Sequence, residues 1–174
     1  MRNQFKVLCL TSFSALIVAL GVTPANAIPG QNVNSFVKWV KSNPQLPAVK
    51  YNSESQGYDG RKGNLYFYAG ATSLQGKVTK EGVTISGDSS IKFSRQNAKA
   101  IKTLRGIYGS QIANDFSNSQ YIVKVGRDSF LRGKQYGYSV AQVQNGTNLE
   151  IFLLKDLQTK IDNAKYCQKR QCDV

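Results

Sequence analysis

The stretch SRQNAKAIKTLRGIYGSQIANDFS, residues 94–117, decides how the rest of the chain is arranged. At 100° per residue, Ala98, Ile101, Leu104, Tyr108, Ile112 and Phe116 fall on one stripe, spaced by three or four, which predicts an amphipathic helix. Arg95, Lys99 and Lys102 form a polar arc beside it. Strand-like segments lie on both sides, so the helix is expected to cover a sheet. Two features disturb the pattern. Gly106 and Gly109 each cost about 1 kcal/mol relative to alanine, which points to close packing on the sheet or to a break into two shorter helices. Arg105 falls by angle inside the apolar arc. It snorkels beside a local break, pairs with a sheet carboxylate, or points into a pocket for an anionic group.

Upstream, Asn32 is a helix cap for a segment running to about residue 43, with Val33, Phe36, Val37 and Val40 as its stripe and Trp39 at the margin. Pro44 ends it and Pro47 keeps the chain extended. Residues 53–63 (SESQGYDGRKG) read as a long exposed loop, with Arg61 and Lys62 at its far end. Residues 65–69 alternate as a strand, with Tyr66 and Tyr68 on one face. Short strands are expected at 74–80, 83–87 and 90–94, with Lys80-Glu81-Gly82 and Gly87-Asp88-Ser89 as turns.

Downstream, strands are expected at 121–125 and 135–144, separated by a turn at 126–129. Tyr136 and Tyr138 share a face of the second. Asn145-Gly146 is the strongest hairpin signal in the chain, and 148–154 pairs back from it. The same Asn formally matches a glycosylation acceptor, but the turn already accounts for it. Residues 156–166 close as a helix. The order is helix, meander, helix, meander, helix, as if one unit were used twice. Short turns and alternating strands predict an α+β fold: antiparallel sheet, in one piece or two, packed against an N-terminal, a central and a C-terminal helix. This element order resembles secreted inhibitor modules that offer a concave sheet to a target enzyme. The resemblance is one of fold alone, with no motif behind it.

The first 27 residues read as a secretory signal: Arg2 and Lys6, an apolar run over 8–22, then the small-x-small pattern Ala25-Asn26-Ala27. Cleavage after Ala27 leaves residues 28–174 as a single domain, periplasmic or extracellular, and lowers the formal charge from +13 to +11 through the loss of Arg2 and Lys6. Such an excess favours an anionic polymer or surface, or an acidic protein, as partner. A solubility charge spread over the whole surface is the plain alternative. Only Cys167 and Cys172 remain after cleavage, and an oxidising compartment predicts a disulfide between them on the C-terminal tail.

The chain has no histidine. Ser-His-Asp, Cys-His and histidine-ligated metal chemistry are therefore excluded. No phosphate-binding glycine motif is present, and no cofactor is expected. Carboxylate pairs of the glycosidase kind are the remaining catalytic option, but Glu54, Asp59, Glu81 and Asp88 sit in expected loops and turns. Glu150, inside a strand, is expected to pair with Lys or Arg. Binding has more support. Tyr66 with Tyr68, and Tyr136 with Tyr138, are platforms suited to stacking. Arg61, Lys62, Arg95, Lys99, Lys102 and Arg105 supply cations around them. The expected function is a non-enzymatic exported binding protein for an anionic ligand, with an interaction or inhibitor module second and a carboxylate hydrolase third.

Overall fold

A computed structural model of the chain describes residues 29–87, 91–143 and 146–170. The expected signal segment, the turn residues Asp88, Ser89 and Asn145, and Cys172 lie outside the described residues. Helix α1 (Val33–Ser42) begins where Asn32 Oδ1 accepts from the Ser35 amide at 2.8 Å, which satisfies one of the orphan donors of its first turn. It buries Val33, Phe36, Trp39 and Val40. Trp39, expected at the margin, lies within the core, its ring 6.0 Å from Phe67 and 5.9 Å from Tyr108.

Strands β1 (Lys50–Asn52), β2 (Gly57–Lys62), β3 (Leu65–Ala71) and β4 (Val78–Ser86) form the first meander. Strands β5 (Gln120–Val125), β6 (Asp128–Arg132), β7 (Tyr136–Val143) and β8 (Gly146–Leu153) form the second. β4 pairs antiparallel with β8, so the meanders join in one eight-stranded sheet of order β1-β2-β3-β4-β8-β7-β6-β5. The α+β class and the use of helix-plus-meander twice are as the sequence predicts.

Four local expectations are corrected. Residues 57–62 of the expected loop are strand, leaving only a short turn before them. The expected turn at Lys80-Glu81-Gly82 lies in the middle of β4, a single nine-residue strand hydrogen-bonded on both sides. Residues 91–94 are not strand, and β6 occupies part of the expected turn at 126–129 and the segment after it.

Helix α2 (Ala98–Ser117) is capped by Asn97 and broken at Gly109, whose φ of 82° and ψ of 177° are not helical. Asn43 Nδ2 donates to the Ile107 carbonyl at 2.9 Å, closing the C-terminal end of the first half. Alanine at 109 would occupy a backbone region reserved for glycine. Gly109→Ala is expected to cost about 1–3 kcal/mol, read as a lower urea midpoint at unchanged slope.

The strand alternation sorts the side chains onto two faces. The inner face is covered by α1 and α2, which bury Phe67, Ala69, Val83, Tyr136, Tyr138, Leu149 and Ile151. Helix α3 (Leu157–Arg170) follows a 3-10 turn at Leu154–Asp156 and packs on the outer face, where Leu157 and Ile161 meet Val125, Phe130 and Phe152. None of the described helices is long and apolar enough to cross a membrane.

Candidate functional site

Helix α3 lies over the β5 and β6 side of the outer face. Over β2–β4 the outer face carries no helix among the described residues. The cross-strand register places Arg61, Tyr66 and Thr84 in one row and Asp59, Tyr68, Gly82 and Glu150 in the next. Tyr68 crosses its neighbouring strand. Its ring lies on Gly82, where a Cβ would stand 2.0 Å from Tyr68 Cζ, and its hydroxyl donates to Glu150 Oε2 at 3.1 Å. Only glycine leaves room for that passage.

Glu150 is the hub. Lys80 Nζ donates to Oε2 at 3.2 Å and Lys160, from α3, donates to Oε1. Lys80 also stands 5.7 Å from the Tyr68 ring centroid, within cation–π range. Burial alone would raise the Glu150 carboxyl, but the charges and hydrogen bonds of Lys80 and Lys160 outweigh it and hold the group below its ordinary 4.5. Burial, and then the Glu150 charge, push the Tyr68 phenol well up, so its proton stays in place. A carboxylate with a lowered folded pKa stabilises above its unfolded value and loses that contribution as pH falls through the folded one. The network is therefore expected to loosen only as pH falls below the ordinary carboxylate range, seen as loss of the Tyr68–Glu150 contact in NMR spectra. This is the pairing the sequence predicts for Glu150. Three donors on one carboxylate make it a poor proton shuttle.

The Tyr66 ring stacks beside Tyr68 at 6.0 Å and 27° and is 37% exposed. Burial, then the Asp59 charge, raise its phenol. Thr84 Oγ1 bonds Asn148 Oδ1 at 3.1 Å, extending the ordered polar row.

The other expected site residues go elsewhere. Tyr136 and Tyr138 do share a face, but it is the inner one. Both are buried, with the Tyr138 ring edge-on to Phe116 at 5.2 Å, so the core takes the surfaces a ligand would need. Lys62 donates to the Pro44 carbonyl, and Arg95 donates to the Ser119 carbonyl, tying the approach of α2 to its exit. Lys99 and Lys102 are exposed on α2, across the sheet from Tyr66. Arg105 is exposed, 3.5 Å from Asn114 Oδ1, which corrects its place in the apolar arc. Cys167 lies on α3, half-buried; its expected partner is outside the described residues.

Of the expected residues, the structure brings together Arg61, Tyr66 and Tyr68. It adds Lys80, Glu150 and Lys160, which sequence reasoning did not place in the site. The sequence carried a signal only for Glu150, a carboxylate inside a strand of a basic chain; Lys80 and Lys160 reach it from β4 and α3. No group of three Asp, Glu, Cys or His side chains able to hold a metal occurs among the described residues. No protein-family model, curated protein or solved structure matches the chain.

Proposed function

We propose that the chain is an exported protein-binding module that docks an acidic protein on the outer face of β2, β3, β4 and β8. The observation that carries this reading is the uncovered half-sheet with its centre already ordered. Tyr68, Lys80, Lys160 and Glu150 are locked to one another, and the exposed Tyr66 and Arg61 stand beside them. Preorganised aromatic and arginine anchors are what protein interfaces use. The formal charge, +13 for the full chain and +11 once Arg2 and Lys6 are removed, favours an acidic surface opposite. Export rests on the N-terminal sequence pattern.

The basic residues stand on both sides of the sheet. A polyanion would wrap the molecule diffusely, whereas a folded acidic partner needs only one face. Four strands at about 4.8 Å spacing and about 20 Å of length give a patch of roughly 400 Å². That is below the roughly 800 Å² per partner of a standard interface. The complex is expected to be transient, with the turns at the sheet's end adding contacts.

The test is a photo-crosslinking amino acid at Thr84 or, separately, at Lys102 of the full chain, expressed in its source. An acidic protein attached from Thr84 and absent from Lys102 is the expected result. Adducts from Lys102 alone, or polysaccharide or nucleic acid that elutes at moderate salt, would overturn it. With the partner in hand, Tyr66→Ala should weaken binding tenfold or more.

A further inference from the structure

The strand that holds Lys80 and Gly82 on the outer face turns Glu81 inward. There it lies between Ala69 on β3 and Ile151 on β8, completely buried. Neither carboxyl oxygen has a hydrogen-bond partner, and the same is true of the hydroxyl of Tyr108, also buried. Buried polar atoms are normally partnered, and leaving them bare costs free energy. Two such side chains in one core are therefore a feature to be explained.

Their position is informative. Tyr108 immediately precedes Gly109, the non-helical residue that breaks α2. It stacks on Trp39 at 5.9 Å and 22°. The two halves of α2 are thus joined at a glycine next in the chain to the residue with the bare hydroxyl, which in turn lies within electrostatic reach of the bare acid. Among the described residues no cation compensates Glu81. The α1 side chains in this core, Val33, Phe36, Trp39 and Val40, are uncharged, and the flanking Ala69 and Ile151 are apolar. The titratable groups whose ionisation its charge opposes are Tyr108 on α2 and Tyr136 on β7. Asp115, on the second half of α2, is engaged by Tyr138 and three backbone amides.

We propose that Glu81 is a proton-gated latch on the Gly109 hinge: while the carboxyl keeps its proton α2 stays seated on the sheet, and loss of that proton opens α2 about Gly109 and admits water to Glu81 and Tyr108. Burial pushes the Glu81 carboxyl up to about 8 from an ordinary 4.5. The closed form therefore holds a proton that the open, hydrated form gives up. Opening becomes easier as pH rises from about 4.5 to about 8 and levels off above that. The opening constant should rise about tenfold per pH unit within that window. The device lies on the inner face and does not depend on the docking reading.

The test is amide hydrogen exchange of residues 107–111 between pH 5 and 7.5, corrected for intrinsic exchange, with Trp39 fluorescence as a second reporter. The chain contains one tryptophan, so the emission is unambiguous. In the unmodified chain the opening constant should climb about tenfold per unit, with Trp39 emission shifting to the red. In Glu81→Gln it should not change with pH. Tyr108→Phe, which removes the other bare group, should keep the slope and so tests the assignment to Glu81 without altering it. A pH-independent constant in the unmodified chain, or the same slope in Glu81→Gln, would overturn the proposal.

Discussion

Asp115→Ala should cost about 3–5 kcal/mol, the largest loss expected of any single polar substitution in this chain. Asp115 stands on the second half of α2 and receives the turn between β6 and β7. Its Oδ1 accepts the amides of Lys134 at 2.8 Å and Gln135 at 3.2 Å; its Oδ2 accepts the amide of Tyr136 at 3.3 Å and the hydroxyl of Tyr138 at 2.8 Å. Hydrogen bonds to a charged acceptor contribute about 1.5–3 kcal/mol each. The four losses are unequal. The Lys134 and Gln135 amides are at the surface and can turn to water. The Tyr138 side chain is fully buried, and its hydroxyl would be left bare. Most of the cost therefore falls on that hydroxyl and the adjacent Tyr136 amide. Tyr138→Phe removes one partner and leaves the amides bonded, so about 1–2 kcal/mol is expected there. Asp115→Asn should fall between the two. Urea unfolding reads these as shifts in midpoint at constant slope. An Asp115→Ala shift no larger than that of Tyr138→Phe would show that the turn is held by something else.

The parts of the fold legible in the sequence are those where local pattern and tertiary environment agree. Asn32 precedes an apolar stripe and caps α1 as read. The residues of β3, β7 and β8 alternate because one side of each is core. The misreadings have a common cause. Lys80-Glu81-Gly82 has turn composition, but β4 is central, with β3 and β8 supplying hydrogen bonds on both sides, and pairing outweighs propensity. Gly57 and Gly60 made 53–63 look like a loop. Both are strand residues whose Cβ atoms would strike the Ala69 and Ala48 carbonyls, so they mark close backbone approach. Phe130 and Leu131 are adjacent and both buried, on opposite faces, which erases the alternation that would have revealed β6.

The candidate site was half legible for the same kind of reason. Spacing by two says that two tyrosines share a face, and both pairs do. It does not say which face. Tyr136 and Tyr138 lie under α2, while Tyr66 and Tyr68 lie on the open side. Angle likewise misplaced Arg105, because the helical wheel loses meaning near Gly109, where α2 breaks. Glu150 could be read as a paired carboxylate from its strand position in a basic chain, but its partners come from β4 and α3, which no local rule relates.

Gly82→Ala should abolish docking on the outer face, with a loss of thirtyfold or more in affinity, at a stability cost of about 1–3 kcal/mol. The alanine Cβ would lie 2.0 Å from Tyr68 Cζ and 2.4 Å from its hydroxyl oxygen. The strand cannot yield, because it is bonded to β3 and β8. The ring must therefore leave. With it go the hydrogen bond to Glu150, the contact with Lys80 and the stack on Tyr66. Tyr68→Phe is the milder control: it keeps the ring over Gly82 and removes only the hydroxyl. The decisive comparison is the double substitution. Once Tyr68→Ala has emptied the space, alanine at 82 meets no ring, and in a strand it is favoured over glycine by about 0.5–1 kcal/mol. Gly82→Ala should then change sign, from destabilising in the presence of Tyr68 to neutral or stabilising in its absence. That coupling, about 1–3 kcal/mol between residues on adjacent strands, is what a ring lying across a glycine requires. Additive effects of the two substitutions would mean that Tyr68 does not cross β4, and the ordered centre of the proposed docking face would go with it.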